Sequence, residues 1–285
     1  MIKNRYKIIS KIGNGKFGIV YKGINTATNE FIAIKTESKN TPFKLLKNET
    51  AILKYLHEQG SRSIPLIYWY GIHENNTCLV FSYYETTLEN YVLSLSPTDE
   101  NTPKKYDKIM STCINILDSI HKYFVLHRDI KPQNFMIRDG ELFLIDFGLA
   151  TFYIDENGQH IPNTCSQTTV IGTPKYLSIN IHHGNDFSVR DDFISLGYVY
   201  LWMVLRELPW EQRFFVEQVK HNDGEDFMNL NHPYHLFQKE QKSWDKLENL
   251  CSNINNKIFQ YTKYCYNLAG NRRFPCDPSL LWEKS

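Results

Sequence analysis

The chain has 285 residues, of which 42% are hydrophobic and 22% are charged, so its composition is that of an ordinary folded protein. This excludes a disordered chain, a collagen-like fibre and a small disulfide-stabilised scaffold. The 32 Lys and Arg residues balance 31 Asp and Glu residues, which leaves no basic excess for nucleic-acid binding. The longest apolar run, residues 193–205, is shorter than the ~18 residues that a membrane span needs. We therefore expect neither a nucleic-acid partner nor a membrane partner.

The cysteines point to a reducing environment. The chain has six of them, and none stands in a Cys-x-x-Cys pair or at zinc-binding distance from a histidine. The sequence therefore predicts an intracellular protein with free thiols.

The first 84 residues are predicted to form strands and one helix. Runs of β-branched and aromatic residues predict strands at 6–10, 19–24, 31–35, 64–71 and 77–84. Thr41 and Pro42 predict the start of a helix, because proline is favoured in a first helical turn. Apolar residues then recur at three- and four-residue steps up to Leu56, which gives this helix one apolar face.

Beyond residue 84 the apolar period becomes helical. One apolar stripe runs from Tyr106 to His121 and predicts a long helix, and residues 192–205 are apolar on nearly all sides, as in a buried helix. We therefore predict an α+β protein with a small β-rich lobe, residues 1–84, and a larger, mainly α-helical lobe, residues 85–285. Together the two lobes would form one domain.

A glycine-rich segment lies between the first two predicted strands. It reads G-x-G-x-x-G-x-V and comprises Ile12, Gly13, Asn14, Gly15, Lys16, Phe17, Gly18, Ile19 and Val20. Glycines let the backbone turn tightly and bring its N–H groups to the oxygens of a polyphosphate. A plain glycine-rich hairpin is an equal alternative on this segment alone. A dinucleotide-binding fold would need a helix next, and a strand follows instead.

The third predicted strand carries Ala33 and Lys35 on the same face, because strand side chains alternate. The small Ala33 leaves room for a flat base, and Lys35 can reach phosphate oxygens. Taken alone, Lys35 is better explained as a solvated lysine on an edge strand. However, Glu49 lies on the apolar face of the predicted helix, and a buried carboxylate needs a cationic partner. Lys35 is the natural candidate for that partner.

The run from His127 to Asn134 reads H-R-D-x-K-P-x-N. Asp129 can accept a hydroxyl proton or orient that hydroxyl for attack, and Lys131 can neutralise charge on a phosphoryl group in transfer. Asn134 supplies an amide oxygen, which is a suitable ligand for Mg²⁺. The alternative is a charged surface loop.

Asp146 follows an apolar strand and precedes Phe147 and Gly148, twelve residues after Asn134. Two oxygen ligands match the habit of Mg²⁺, which takes a few protein ligands together with substrate phosphates. Asn134 and Asp146 are therefore the predicted metal ligands.

In this order and spacing the segments resemble the protein kinase family. The resemblance implies a bilobal kinase fold, use of ATP and Mg²⁺, an ion pair between Lys35 and Glu49, and Asp129 as the catalytic base. It also places Phe81 beside the adenine, with the carbonyl of Ser82 and the N–H of Tyr84 as partners of the base. Protein substrates with Ser or Thr acceptors and a monomeric state are expected.

The downstream half is similar to the casein kinase 1 family of serine/threonine kinases. Ser178-Ile179-Asn180 replaces the usual Ala-Pro-Glu, and Leu208-Pro209-Trp210 follows an Arg-Asp-Asp-Phe-Ile-Ser-Leu-Gly-Tyr run that starts at residue 190. His160-Ile161-Pro162 is a further similarity. The resemblance implies that Thr173 joins Asp129 and Lys131 in a hydrogen-bonded cluster, and that Asp192 braces the catalytic loop.

The chain also departs from this family. Pro174-Lys175 stands where an alanine and an arginine are common, and residues 211–217 lack the usual basic cluster, which puts a preference for acidic substrates in doubt. Arg128 could bind a phosphate on Thr164, Ser166, Thr168 or Thr169, but bracing of the loop is the preferred interpretation. A non-catalytic pseudokinase and a small-molecule kinase are the alternative functions.

Overall fold

The computed structural model describes residues 1–15, 18–42, 44–159, 161, 170–211, 229–268 and 282. Contacts divide the chain into two compact units. The first consists of Met1–Leu88 with Gln133–Ala150, and the second of Glu89–Pro132 with Thr151–Ser285. The lobe boundary after residue 84 stays a prediction.

The first unit contains a five-stranded antiparallel sheet in the order β1-β2-β3-β5-β4. Its strands are β1 Tyr6–Gly15, β2 Gly18–Asn25, β3 Phe31–Ser38, β4 Ile67–His73 and β5 Asn76–Ser82. All five lie where the sequence predicts strands. β1 and β3 extend beyond their predicted ends. The pairing of β1 with β2 continues to Gly15, and the pairing of β3 with β5 continues to Ser38, mostly through residues that carry no strand signal of their own.

Alternation along β3 separates two apolar faces of this sheet. Ile32 and Ile34 pack on one face with Val80. Ala33 packs on the other face with Leu46 of helix α1, Leu45–Glu58. Lys35 follows Ala33 by two residues, so the strand period directs it towards the face that α1 covers. This is how the fold brings a strand residue and a helix residue together.

Helix α1 begins later than predicted. The sequence placed its start at Thr41 and Pro42, whereas the first helical residue is Leu45. The Glu37 carboxylate accepts the backbone N–H groups of Leu45 at 3.0 Å and Leu46 at 3.3 Å. These otherwise orphaned donors are thus satisfied by a strand residue from upstream, which a search for local capping residues does not consider.

The first unit also holds a smaller sheet in the order β6-β8-β9. Its strands are β6 Thr86–Thr87, β8 Phe135–Arg138 and β9 Glu141–Leu144. The turn between β9 and residue 150 carries Asp146, and a short 3₁₀ turn at Pro132–Asn134 precedes β8. Asn134 therefore precedes the first strand of the β8–β9 hairpin and Asp146 follows the second, so both lie at the open end of this hairpin.

Helices dominate the described part of the second unit. They are α2 Leu88–Ser94, α3 Thr102–His121, α4 Ile179–His182, α5 Val189–Leu205, α6 Pro233–Gln241, α7 Trp244–Ile254 and α8 Asn256–Asn267. Two short strands, β7 Val125–Leu126 and β10 Thr151–Phe152, pair antiparallel. In the described residues we find no helix with the length and hydropathy to cross a bilayer.

Helix α5 is buried on nearly all sides, as its apolar composition predicts. It starts three residues before the predicted residue 192, because Ser188 and Asp191 form a reciprocal capping box at its N-terminus. A β-rich N-terminal part and a larger helical C-terminal part confirm the predicted α+β fold class.

Candidate active site

The glycine-rich segment forms the end of the β1–β2 hairpin. Gly15 pairs with Gly18 across it, and Asn14 pairs with Ile19. Gly18 has a φ of +150°, and a Cβ at this position would overlap the carbonyl oxygen of Thr36, so the position requires glycine. Lys16 and Phe17 lie outside the described residues, and their predicted contacts with phosphate stay predictions.

A mostly apolar pocket lies beside this hairpin, within the first unit. Its lining includes the predicted residues Ile12, Gly18, Val20, Ala33, Lys35, Glu49, Phe81, Tyr84 and Asp146, and also Tyr83, Met136 and Ile145. None of the last three was predicted from the sequence. Met136 could have been found from its place two residues after Asn134 on β8.

Several residues assigned to nucleotide binding are not part of this lining. Among the described residues, Gly13, Asn14 and Ile19 lie in the hairpin ladder, where Gly13 pairs with Val20. Ser82 is buried, and its backbone N–H donates to the carbonyl of Leu66 at 3.1 Å.

Three charged side chains of the first unit meet at Lys35. Its Nζ lies 2.7 Å from Oε2 of Glu49 and 2.7 Å from Oδ1 of Asp146. Glu49 is 3% exposed, Lys35 15% and Asp146 38%, so the pair with Glu49 is buried while Asp146 faces partly to solvent. The ion pair that the sequence predicts is therefore present, and Lys35 has a second carboxylate partner.

Burial and charge compete over the protonation of this cluster. Burial alone disfavours the charged amine of Lys35, but the two carboxylates outweigh this effect and raise the pKa of Lys35 above its ordinary value. Burial raises the pKa of Glu49, against the lowering effect of Lys35. At 2.7 Å from both carboxylates, Lys35 carries its positive charge at neutral pH.

Asn134 and Asp146 are connected through the backbone. The N–H of Ile145 donates to the carbonyl of Asn134 at 2.8 Å, which ties the 3₁₀ turn to the residue before Asp146. Asp146 has a φ of 64°, a left-handed conformation that non-glycine residues rarely adopt. A carboxylate and an amide, next to a lysine and an apolar pocket, are the donor set that fits Mg²⁺ and a nucleotide.

A second cluster, in the second unit, consists of Asp129, Lys131 and Thr173. Lys131 Nζ lies 2.6 Å from Oδ2 of Asp129 and donates to the Thr173 hydroxyl at 3.0 Å. The same hydroxyl donates to Oδ1 of Asp129 at 2.6 Å. The arrangement is the one that the resemblance implied, and it holds the Asp129 carboxylate at both oxygens.

Asp192 of α5 holds the backbone of the loop that bears Asp129. Its carboxylate accepts the N–H groups of His127 at 2.8 Å and Arg128 at 2.9 Å, and lies 2.8 Å from His121 Nε2. Burial would raise the pKa of Asp192, but these hydrogen bonds and the neighbouring histidines lower it overall. The carboxylate is therefore ionised while fully buried, and it positions the loop as expected.

Arg128 itself adopts a φ of 67°, and its guanidinium lies 5.8 Å from the ring centroid of Phe187. Thr164, Ser166, Thr168 and Thr169, the residues considered as phosphate carriers, lie outside the described residues. Both roles of Arg128 therefore stay predictions.

The Ser-Ile-Asn segment is bound to the start of α5. Ser178 Oγ donates to Oδ1 of Asp191 at 2.6 Å, and Asn180 Nδ2 donates to the same oxygen at 3.0 Å. Nearby, Lys175 forms an ion pair with Glu211, with a separation of 2.5 Å between Nζ and Oε1. Neither the role of Asp191 nor this ion pair was predicted from the sequence.

The β-rich part, the helical part and the two clusters of ionisable groups are those that the resemblance to protein kinases implied. A family model described as the protein kinase domain matches residues 6–276. Because this match covers most of the chain, the chain belongs to the protein kinase family. A protein kinase domain transfers phosphoryl groups to protein substrates, with ATP as the donor and typically with Mg²⁺.

Proposed function

We propose that this chain is a casein kinase 1-like serine/threonine protein kinase. The observation that carries the proposal is the hydrogen-bonded cluster of Asp129, Lys131 and Thr173. Lys131, two residues after Asp129, is typical of kinases that act on Ser and Thr. The contacts of Ser178 and Asn180 with Asp191 support the likeness to the casein kinase 1 family.

In this proposal Asp129 orients the acceptor hydroxyl and takes its proton. The carboxylate is 8% exposed, and both of its oxygens have partners, so it is held in one orientation. Lys131 then places a positive charge where the transferred phosphoryl group carries negative charge. Thr173 acts on Asp129 by hydrogen bonding, which makes it a positioning residue.

The nucleotide would be held by the first unit. Ala33 and Phe81 would contact the base, with the carbonyl of Ser82 and the N–H of Tyr84 as its polar partners. Lys35, held by Glu49, would bind phosphate oxygens. Asn134 and Asp146 would hold Mg²⁺, which would supply positive charge to neutralise the phosphates.

The ion pair between Lys175 and Glu211 bears on substrate choice. The positive charge of Lys175 is neutralised by a carboxylate that is itself fixed, since Glu211 Oε2 accepts the N–H of Leu208 at 2.7 Å. We therefore expect peptides without acidic or pre-phosphorylated residues to be accepted. The protein would act as a monomer in the cytoplasm or nucleus, and the buried free thiols of Cys78, Cys113, Cys251 and Cys265 agree with a reducing compartment.

The test is phosphorylation of a peptide array by purified protein with ATP and Mg²⁺, for the wild type, Asp129→Asn and Asp146→Ala. We expect Ser and Thr peptides to be phosphorylated by the wild type, and each variant to lose about 10²- to 10⁴-fold in rate. Asp139→Asn is the matched control, because this carboxylate is 78% exposed and pairs only with the exposed Arg138 in the contacts described. Wild-type rates for either site variant would disprove the assigned roles.

Two other outcomes distinguish the alternative functions. Binding of ATP with Mg²⁺ but no transfer to any acceptor would indicate a pseudokinase. Transfer to a sugar or an aminoglycoside, with every peptide unmodified, would indicate a small-molecule kinase.

A further inference from the structure

Helix α1 makes a second contact with the segment that carries Asp146. Asn48 directly precedes Glu49, and its side-chain amide Nδ2 donates to the carbonyl of Gly148 at 3.1 Å and to that of Ala150 at 2.9 Å. Both partners are carbonyl oxygens, which can only accept, so the amide nitrogen must face them. Asn48 thus provides two hydrogen bonds to a segment a hundred residues further along the chain.

The two neighbouring residues hold opposite ends of this segment. The Glu49 carboxylate accepts the backbone N–H of Phe147 as well as Lys35 Nζ, while Asn48 binds the carbonyls of Gly148 and Ala150. Between these anchors the chain forms a short 3₁₀ turn, Phe147–Leu149. Two adjacent residues of α1 therefore bind both a backbone N–H group and two backbone carbonyl groups of this segment.

The backbone conformation of Asp146 has to be stabilised by hydrogen bonds of this kind. Its left-handed φ of 64° is unfavourable for a residue with a side chain and persists only where the surroundings determine it. Asp146 is also 38% exposed, so packing alone holds it weakly. The bonds to residues 147, 148 and 150 fix the backbone that follows Asp146 and thereby fix the direction of its carboxylate.

We propose that Asn48 is a positioning residue that holds the Asp146–Ala150 segment against α1 and so keeps Asp146 in place for Mg²⁺. This inference rests on the proposed function, in which Asp146 is a metal ligand. Asn48 does not itself line the nucleotide pocket, and its side chain donates to the carbonyls of Gly148 and Ala150, so we expect it to act through Asp146.

Three variants test this role. Asn48→Leu keeps the branching of the side chain at Cγ and improves its helix propensity, but removes both donors, so a loss cannot be attributed to a weakened helix. Asn48→Asp places a carboxylate against two carbonyl oxygens and is expected to have the stronger effect. Lys47→Leu, at the exposed preceding position of the same helix, is the control.

The first measurement is the Mg²⁺ concentration that gives half-maximal phosphorylation of a Ser/Thr peptide at saturating ATP. Removal of a residue that orients a metal ligand typically weakens metal binding by 10- to 100-fold, so we expect the Mg²⁺ requirement of Asn48→Leu to rise about tenfold. Lys47→Leu should match the wild type. An unchanged Mg²⁺ requirement together with a lowered melting temperature would show a purely structural role and overturn the proposal.

The second measurement needs no activity. Amide hydrogen exchange of residues 147–150 should be faster in Asn48→Leu than in the wild type, with exchange in β1–β5 unchanged. If the wild type phosphorylates nothing, the proposed function fails, and the exchange result still decides whether Asn48 holds this segment. Equal exchange rates in this segment for all variants would overturn the inference by itself.

Discussion

A methyl group on Gly172 would lie 2.6 Å from the backbone carbonyl oxygen of Arg128. Gly172 also has a φ of +100°, in the region that favours glycine. It directly precedes Thr173, and Arg128 directly precedes Asp129. The close approach of these two backbones brings the hydroxyl of Thr173 to the carboxylate of Asp129 without a spacer between them.

We predict that Gly172→Ala destabilises the protein by about 3 kcal/mol, since backbone strain costs about 1 kcal/mol or more and the steric overlap adds to it. Urea unfolding measures this loss. Gly60→Ala is the matched control, because Gly60 has a φ of +98° but open space around it, and it should lose only about 1 kcal/mol. Equal losses for both variants would mean that the contact with Arg128 carries no cost.

The second prediction concerns Glu49, the buried partner of Lys35. Removal of one member of a buried ion pair typically costs 3–5 kcal/mol, and we expect about 3 kcal/mol for Glu49→Gln because Asp146 still pairs with Lys35. Phosphoryl transfer should fall about 100-fold as Lys35 loses its fixed position.

The control for Glu49→Gln is Glu240→Gln. Glu240 lies 2.7 Å from Lys246 Nζ, the same separation as in the buried pair, but both side chains are exposed. We expect Glu240→Gln to lower the free energy of unfolding by less than about 0.5 kcal/mol, as for other surface pairs. Similar free energies of unfolding for the two variants would contradict the claim that the buried pair stabilises the protein more than the exposed pair.

A third prediction concerns Asp192. Asp192→Asn replaces one carboxylate oxygen with an NH₂ group, which cannot accept a hydrogen bond from a backbone N–H. We expect the free energy of unfolding to fall by about 3 kcal/mol, and kcat to fall about tenfold or more because the loop with Asp129 loses an anchor.

The pH dependence of this difference checks its cause. The pKa of Asp192 is lowered from its ordinary value of 3.8, so its contribution is fully present above that pH and is lost as the pH falls through the lower, folded-state pKa. The advantage of the wild type over Asp192→Asn should therefore persist at pH 5 and shrink only below pH 3.8. An advantage that vanished by pH 5 would point to another group.

His182 should make the protein less stable in mild acid. Burial lowers the pKa of His182 well below 6.5, and Lys242, whose Nζ lies 3.1 Å from Nε2, together with His235 and His183 adds to this effect. The unfolded chain therefore binds more protons below pH 6.5, and the free energy of unfolding declines as the pH falls through that value.

The non-titrating variant His182→Gln tests this expectation, since its amide oxygen can still accept from Lys242. Between pH 7.5 and 5.5 the wild type should lose about 1.4 kcal/mol more than the variant, the amount that one proton contributes over this interval. Denaturant unfolding at a series of pH values measures the difference. Parallel curves for the two proteins would show that His182 titrates normally.

Elements of the fold were predictable where apolar residues repeat regularly along the chain. The strands of the main sheet and helix α5 were found because their apolar residues repeat at strand or helix period. The predicted start of α1 was wrong because Glu37, a residue of β3, caps the helix at Leu45. Met136 was not predicted to line the pocket because its apolar side chain carries no chemical signal of its own, and only its strand spacing from Asn134 indicates its direction.

The sequence by itself determined the chemical groups of this protein and their order along the chain, because each motif consists of residues that must be neighbours in the chain to act. Only the tertiary structure decided how residues of different motifs meet: Lys35 with both Glu49 and Asp146, Thr173 with Asp129, and Asn48 with the backbone after Asp146. Such pairs depend on strand register, helix rotation and close backbone approach, which are set by packing across the whole fold.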